Sequence, residues 1–243
     1  MPEDHFGEQV AARYDATSAE MFEPAVVDPV VEFLAGLAGD GPVLELGIGT
    51  GRIALPLAAR GIAVHGIDLS PAMVARLRAK PGGDAIPVTM GDFATAKAGE
   101  TFTLAYLVFN TINNLTTQDE QVECFQNVAA QLKPGGLFVI EVGIPSLRRL
   151  PPGETVRAFT VTPNKLGFDE YDVVTQGLVS HHYWIEDGEL HVLSAPFRYV
   201  WPAELDLMAR IAGMKLRERW SGWQREPLTS ESTKHVSVWE KIG

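Results

Sequence analysis

Short apolar runs alternate with helical patterns through the first half of the chain. The runs predict strands at 42–46, 62–67, 86–90, 102–109 and 137–142. Between them, apolar side chains recur every three or four residues, as they do along one face of a helix. Near-continuous apolar strands that alternate with helices are typical of a parallel sheet covered by helices on both faces. We therefore predict a doubly wound, Rossmann-like α/β fold.

Capping signals mark several of the predicted helices. Ser70, which precedes a proline, is a typical helix start. Thr117 and Glu120 have the spacing of a capping box at the start of another helix. Pro56 lies inside the predicted helix 51–60, where we expect it to remove one backbone hydrogen bond.

The pattern changes near residue 144. Further strands are predicted at 171–175, 178–185 and 189–200, with turn signals at 176–177 and 187–188. Because no helix separates these strands, we expect them to pair antiparallel. A helix at 203–212 and strands at 215–223 and 232–241 then return to the first pattern and complete a seven-stranded sheet.

Charge and composition narrow the class of protein. The 243 residues include 31 acidic and 20 basic side chains, a net charge of −11, which argues against binding a nucleic acid backbone. Residues 1–5, Met-Pro-Glu-Asp-His, form an acidic segment that lacks the apolar run of a secretory signal. The sequence also contains no 18-residue apolar stretch that would favour a membrane span. The single cysteine, Cys124, excludes an intrachain disulfide, and no Cys/His cluster has zinc spacing. We expect a cytoplasmic enzyme that acts on small molecules and has no metal site.

The strongest motif is a glycine-rich turn between the first strand and its helix. Residues 45–51 read Glu-Leu-Gly-Ile-Gly-Thr-Gly. Gly47, Gly49 and Gly51 allow a tight turn and a close approach of a ligand to the backbone. An ordinary structural turn is one alternative. A dehydrogenase is another, but its Gly-x-Gly-x-x-Gly pattern needs glycine at position 52, where this chain has Arg52.

Two carboxylates follow the next two strands. Asp68, after the second strand, is placed to accept hydrogen bonds from ribose hydroxyls. Asp92, after the third strand, is placed to accept from an exocyclic amino group, with Phe93 beside it to pack on a ring. Helix capping for Asp68 and a solvated turn for Asp92 are the structural alternatives.

Together these segments resemble the class I S-adenosylmethionine-dependent methyltransferases. The matching segments are 45–51, 67–70, 91–93 and 132–136, in the family's order and spacing within residues 14–143. The resemblance implies the family's seven-stranded methyltransferase sheet with a small antiparallel insertion over the active site. It also implies S-adenosylmethionine (SAM) as the methyl donor and S-adenosylhomocysteine (SAH) as the product.

The resemblance further implies which residues bind the cofactor. The glycine loop meets the methionine half, Asp68 holds the ribose, and Asp92 binds the adenine amino group beside Phe93. Tyr14 belongs to a Tyr-Asp pair that is similar to the one opening many members, although it can equally be an aromatic anchor for the N-terminus. The candidate cofactor-binding residues are Tyr14, Glu45, Gly47, Gly49, Gly51, Asp68, Leu69, Met73, Asp92, Phe93 and Phe109.

The domain organisation follows from this resemblance. We interpret residues 1–243 as one methyltransferase domain. Its parts are an N-terminal helical cover (1–40), a cofactor-binding half (41–143), a substrate-side antiparallel insertion (145–200) and a closing helix with strands (201–243).

Candidate catalytic residues come from two segments. Asn113 lies in the loop after the fourth strand, where the family places the floor between cofactor and acceptor. His181 and His182 lie in a predicted strand, whose neighbouring side chains face opposite sides, so only one of them faces the cleft. That histidine, with an ordinary pKa near 6.5, is a candidate general base. Exposed strand histidines and turn-capping asparagines are the alternatives.

Substrate contacts are expected from the same loop and from the insertion. The candidates are Asn110, Asn114, Arg149, Tyr183, Trp184 and Trp201. Solvated loop charge and strand packing are the alternatives for the arginine and the aromatic residues. The insertion loosely resembles that of natural-product methyltransferases, including amino-sugar N-methyltransferases. In those enzymes the extra strands cover the acceptor and often form a homodimer, which we expect here as well.

The leading functional hypothesis is methyl transfer from SAM to a nitrogen or oxygen of a small molecule. It works mainly by proximity and orientation, because the donor already carries the activated carbon. The alternatives are other chemistry on the same cofactor and a non-catalytic cofactor-binding module.

Overall fold

The computed structural model describes residues 6–243. The helices are α1 (Glu8–Thr17), α2 (Pro24–Ala38), α3 (Ala54–Ala59), α4 (Pro71–Arg78), α5 (Gln118–Gln131) and α6 (Pro202–Ile211). The strands are β1 (Val43–Leu46), β2 (Val64–Asp68), β3 (Val88–Met90), β4 (Phe102–Leu107), β5 (Leu132–Gly143), β6 (Val156–Thr162), β7 (Lys165–Asp172), β8 (Gly177–Glu186), β9 (Glu189–Arg198), β10 (Met214–Trp220) and β11 (Lys234–Lys241). Each helix in this range is too short or too polar to cross a bilayer. The expectations for residues 1–5 lie outside the described residues.

The main sheet has the order β10-β11-β5-β4-β1-β2-β3. Strands β1 to β5 pair in parallel, and β11 runs antiparallel to both β5 and β10. The strand order reverses between β1 and β4, and such a switch point opens a crevice at the carboxyl ends of the strands. The predicted seven-stranded α/β sheet is confirmed.

Apolar cores lie on both faces of this sheet. One core packs α2 and α3 against the strands, with Leu34 and Leu57 fully buried. The other packs α5 and α6 against the opposite face, where the Phe125 ring lies edge-on to Phe138 and Trp239. Because both faces are covered, the central strand β1 is buried at every position, as its continuous apolar run predicts.

The predicted helix caps are confirmed. Ser70 caps α4 through its side chain. Thr117 Oγ1 accepts from the Glu120 backbone N–H at 3.2 Å, and the Glu120 carboxylate accepts from the Thr117 N–H at 2.9 Å.

Two local expectations are wrong. Pro56 removes no helical hydrogen bond, because α3 begins at Ala54 and the N–H groups of the first turn have no partner within the helix. Strand β5 begins at Leu132 instead of residue 137 and contains residues 133–136 as an irregularity. Its register with β4 jumps there from Leu132 to Leu137.

The insertion forms a second, antiparallel sheet of order β6-β7-β8-β9, as predicted. Strand β6 was not predicted, because the turn that follows it, Pro163-Asn164, contains no glycine. Strand β7 ends at Asp172, whereas the sequence predicts a strand that begins at residue 171. The Asp172 carboxylate accepts from the Val174 N–H at 2.9 Å and the Thr175 hydroxyl at 2.6 Å, which folds these residues into a turn.

A buried polar chain links β10 and β11 to α6. Arg219 donates two hydrogen bonds to the Asp206 carboxylate, at 3.1 and 2.6 Å, and a third to Ser237 Oγ at 2.6 Å. Ser237 Oγ lies 2.7 Å from Nδ1 of His235, a fully buried side chain. Burial, reinforced by the charge of Arg219, lowers the pKa of His235 to about 4.

The lowered pKa of His235 predicts that the stability of the protein depends on pH. The unfolded chain protonates His235 near its ordinary pKa of 6.5, whereas the folded chain does so only near 4. Stability is therefore fully present above pH 6.5 and falls as the pH drops towards 4, by about 3 kcal/mol. In the His235→Gln variant this loss should vanish, whereas His191→Gln, on a partly exposed residue, should keep it. Urea unfolding between pH 7 and pH 4 measures the slope, and equal slopes for wild type and His235→Gln would refute the prediction.

Candidate active site

The glycine loop lies at the carboxyl end of β1 and is fastened to the end of β2. Gly47 and Gly49 have φ angles of 68° and 55°, a region that side-chain-bearing residues rarely adopt. The Asp68 carboxylate accepts from the Gly49 N–H at 2.6 Å and from the Ser70 N–H at 2.8 Å. One buried acid thus joins the loop, the end of β2 and the start of α4.

A cavity of about 360 Å³ opens beside this loop. Among the residues that line it are eight predicted from the sequence to bind the cofactor: Tyr14, Gly47, Gly49, Asp68, Leu69, Met73, Asp92 and Phe93. Asp92 is held in place because its Oδ1 accepts from the Ala94 N–H at 2.9 Å. Asp68 and Asp92 therefore present carboxylates beside apolar side chains, a surface suited to a ligand with hydroxyl and amino donors and a flat ring.

Glu45 and Gly51 lie away from the walls of this cavity. Glu45 is buried beneath the loop and accepts from the Tyr106 hydroxyl at 2.8 Å. Burial raises the pKa of Glu45 to about 8, although Tyr106 and the charge of Arg52 oppose the shift. At Gly51, an added Cβ would lie 2.4 Å from a methyl carbon of Leu77, so this glycine allows α4 to pack against the loop.

A larger cavity, of about 510 Å³, adjoins the first. Both are lined by Phe6, Tyr14, Thr111 and Asn114, which mark the boundary between them. Phe109, Asn110 and Asn113 line the larger cavity only. The Asn110 side chain is already engaged, because its Oδ1 accepts from the Gly143 N–H at 2.6 Å. The loop after β4 therefore lies between the two cavities, and Phe109, expected at the cofactor, lines the larger cavity instead of the smaller one.

One face of the inserted sheet forms the opposite wall of the larger cavity. Strand pairing sets Asp169 against Ser180 on the neighbouring strand, and His182 against Leu193. Paired side chains point to the same face of a sheet. With Tyr171, these residues line the cavity, and Asp169, Tyr171 and Ser180 are residues that the sequence analysis missed. Ser180 alternates with His182 along β8. Asp169 and Tyr171 lie on β7, so they can be assigned to this face only when the register between β7 and β8 is known.

The two neighbouring histidines face opposite sides, as strand alternation predicts. His182 lies in the cavity wall, and burial lowers its pKa below 6.5. His181 lies on the outer face, where it stacks on Phe168 at a centroid distance of 4.8 Å and contacts Ser194 Oγ at 2.8 Å. The structure thus brings His182, and not His181, to the candidate site.

Four expected substrate contacts lie outside the walls of both cavities. Tyr183 stacks on Phe168 on the outer face. Trp184 stacks on His191 at 5.2 Å, and Trp201 packs edge-on against Tyr199. Arg149 is exposed in a short 3₁₀ turn, Ser146–Arg149.

Helix α1 covers both cavities. Its residues Val10 and Tyr14 face the larger one, and Tyr14 reaches the smaller one as well. Burial raises the pKa of Tyr14, so its hydroxyl stays protonated near neutral pH. The next residue, Asp15, accepts from Thr50 Oγ1 at 2.6 Å and pairs with Lys80 Nζ at 2.5 Å, which fastens α1 to the glycine loop.

Comparisons with known proteins agree on the family. A family model described as a methyltransferase domain matches residues 43–136. The structure of the CcbJ methyltransferase from Streptomyces caelestis is 35% identical, covers 99% of this chain and 100% of that chain, and superposes with a TM-score of 0.87. The cypemycin N-terminal methyltransferase of Streptomyces sp is 27% identical over 242 residues, covering 94% of this chain and 97% of that protein.

A more distant structure shares the fold with SAM present. It is SAM-bound CalS10, an amino pentose methyltransferase from Micromonospora echinaspora, with 22% identity, coverage of 94% of this chain and 96% of that chain, and a TM-score of 0.71. Together, the full-length match to CcbJ, the matched methyltransferase domain and the glycine loop with its carboxylates show that this chain belongs to the SAM-dependent methyltransferases.

Proposed function

We propose that this protein transfers a methyl group from SAM to a nitrogen or oxygen of a small molecule, as the natural-product methyltransferases it resembles suggest. The observation that carries the proposal is the pair of adjoining cavities, which meet at Tyr14, Thr111 and Asn114. One has the carboxylates and apolar side chains that suit the cofactor. The other offers apolar walls with a few polar groups, as small-molecule sites do.

The residues of the smaller cavity fit SAM. Asp68 is proposed to hold the ribose hydroxyls, and Asp92 the adenine amino group, because a carboxylate has acceptor capacity beyond one backbone N–H. Leu69, Met73 and Phe93 provide the apolar surface that an adenine ring needs. Glu45, which burial keeps largely protonated near pH 7, is proposed to support the loop from beneath through its hydrogen bond with Tyr106.

The protein's main task is alignment. SAM supplies a sulfonium methyl group, and the acceptor's lone pair forms the new bond as the carbon–sulfur bond breaks and sulfur keeps the electron pair. Tyr14, Phe109 and Asn113 line the larger cavity at or near its boundary with the smaller one, where they would orient the acceptor and exclude water.

His182 is proposed to accept the acceptor's proton. Its Nε2 lies 3.2 Å from Ser180 Oγ, and both side chains face the cavity. The Ser180 hydroxyl would pass its proton to Nε2 while taking one from the acceptor, so serine is regenerated and histidine becomes imidazolium. Because burial lowers its pKa, His182 is neutral at pH 7 and ready for this role.

The volume of the larger cavity supports an enzyme over a cofactor-binding module, because a space of about 510 Å³ accommodates a small-molecule substrate. SAH among the products of turnover would distinguish methyl transfer from other chemistry on the same cofactor.

A homodimer through the outer face of the inserted sheet is also proposed. Val161, Leu166, Tyr183 and Val192 follow one another across its four strands, and Val161 and Val192 are 73% and 55% exposed. An exposed apolar face of this kind is typical of an association surface. A two-fold axis would place this face against its own copy without requiring complementary charges.

Calorimetric titration with SAM, and separately with SAH, tests the proposed cofactor site. Wild type should bind both at micromolar concentration. Asp68→Asn should weaken binding about 10- to 100-fold, because hydrogen bonds to a charged group are lost. Asp92→Asn, which leaves the glycine loop untouched, should weaken it about tenfold for the same reason. The matched control Asp28→Asn, on the exposed face of α2, should bind as wild type does. Absence of binding to wild type, or wild-type affinity in both cavity variants, would refute the site.

Helix α1 should contribute to cofactor affinity through Asp15. Asp15→Asn removes the ion pair with Lys80 while leaving the helix intact, and it should raise the Kd for SAH about threefold, as a partly exposed pair predicts. Glu8→Gln, which alters a long, exposed contact between the same helix and Arg76, serves as the control. Equal affinities of the two variants in the same calorimetric assay would show that the contacts of Asp15 do not contribute to cofactor affinity.

Sedimentation velocity tests the proposed dimer. Wild type should sediment as a dimer at micromolar concentration, and Val192→Glu should sediment as a monomer, because it places a charge in the apolar face. Val174→Glu, at an 87% exposed residue of the β7–β8 turn, should remain dimeric. A monomeric wild type would contradict the proposal.

A further inference from the structure

The larger cavity is acidic on the wall formed by the inserted sheet. Among the described residues that line it, Asp169 is the only carboxylate, and none is lysine or arginine. The Tyr171 hydroxyl lies 3.4 Å from Asp169 Oδ2 and donates to it. Burial raises the pKa of Tyr171 to about 12, so this hydroxyl remains a donor near neutral pH.

The charges around Asp169 leave the cavity side acidic. Arg157 is its register partner on β6 and points to the same face, where its charge acts on Tyr171, but it does not line the cavity. On the same strand as Asp169, Lys165 lies four residues away and likewise outside the walls. His182, on the facing strand, is kept neutral near pH 7 by burial and by the charges of Lys165 and His181, against the opposing effect of Asp169.

A second acceptor, on a residue that lines the same cavity, has no hydrogen-bond partner. Asn113 Oδ1 is buried and makes no hydrogen bond within the described part of the chain. Its neighbours Thr111 and Asn114 line both cavities, so Asn113 lies next to the boundary with the cofactor cavity. A buried carbonyl oxygen without a donor is costly, and it indicates that a ligand with an N–H or O–H group belongs there.

The Asp169 carboxylate and the unpartnered Asn113 oxygen both call for a ligand that donates hydrogen bonds. The cavity presents an ionised acceptor on one wall and an unpartnered neutral acceptor on its floor, within largely apolar surroundings. A protonated amine satisfies both, since it has a positive charge and more than one N–H donor. A neutral alcohol has one donor and gains no charge attraction from Asp169.

We infer that Asp169 is a specificity-determining residue that selects a methyl acceptor entering as a protonated amine, whose N–H groups are received by Asp169 and Asn113. This inference rests on the proposed methyl transfer and names the class of its acceptor. The base that the site contains fits the same substrate. Removing a proton from an alkylammonium group, whose pKa is near 10.4 as in lysine, costs a histidine base far less than removing one from an alcohol, whose pKa is near that of water, about 15.7.

Two probes of the same shape and different charge test the inference: N-methylbenzylamine, a cation at pH 7, and benzyl methyl ether, which is neutral. Each is titrated into the full-length protein saturated with SAH, and the Kd is measured by ligand-observed NMR. Wild type should bind the amine about tenfold more tightly than the ether, as expected for a charge-assisted hydrogen bond. Asp169→Asn should abolish this preference and leave the affinity for the ether unchanged.

The matched control is Glu170→Gln, which removes a carboxylate from the outer face of the same strand and should keep the tenfold preference. Equal affinities of wild type for the two probes, absence of binding by either, or an undiminished preference in Asp169→Asn would each overturn the inference. Calorimetry with SAH on the same samples distinguishes failure of the proposed methyltransferase site from failure of the role of Asp169. Loss of SAH binding would refute the methyltransferase site itself, whereas normal SAH binding without discrimination would refute the role of Asp169 alone. Thermal unfolding of each variant confirms that it is folded.

Discussion

The Asp68 carboxylate is the contact on which the candidate site depends. By accepting from the backbone N–H groups of Gly49 and Ser70, it holds the glycine loop, the end of β2 and the start of α4 in one arrangement. The loop can adopt that arrangement because its glycines tolerate positive φ angles. The same acid faces the smaller cavity, so the group that fixes the local fold also gives the cofactor site its charge.

The two sheets have separate roles in this protein. The parallel sheet, with helices on both faces, provides a rigid crevice at its switch point, and the glycine loop and two carboxylates border it. The antiparallel sheet provides the wall of the acceptor cavity through one face, while its other face is apolar and exposed. Helix α1 covers both cavities and is fastened to the glycine loop by Asp15. We therefore expect that changes in the insertion alter the larger cavity without disturbing the smaller one.

Features encoded by contiguous residues could be predicted from the sequence. The caps at Ser70 and Thr117 are local, because each depends on a hydrogen bond within one turn of helix. The grouping of residues around the smaller cavity could be predicted, because they follow successive strands whose carboxyl ends meet at one edge.

Features that depend on pairing between strands could not be predicted. The inward positions of Asp169 and Tyr171 follow from the register between β7 and β8, and that register depends on a turn that begins at Asp172, within the segment 171–175 predicted as a strand. For the same reason, Tyr183 and Trp184 were expected at the substrate, whereas the register places them in contacts within the sheet.

The central claim is that donor and acceptor meet where the two cavities adjoin. A crystal structure of the complex with SAH tests it most directly. We expect the adenosine between Asp68 and Asp92, and the sulfur atom beside Tyr14, Thr111 and Asn114, facing the larger cavity. SAH bound elsewhere, or with its sulfur turned away from that cavity, would contradict the account.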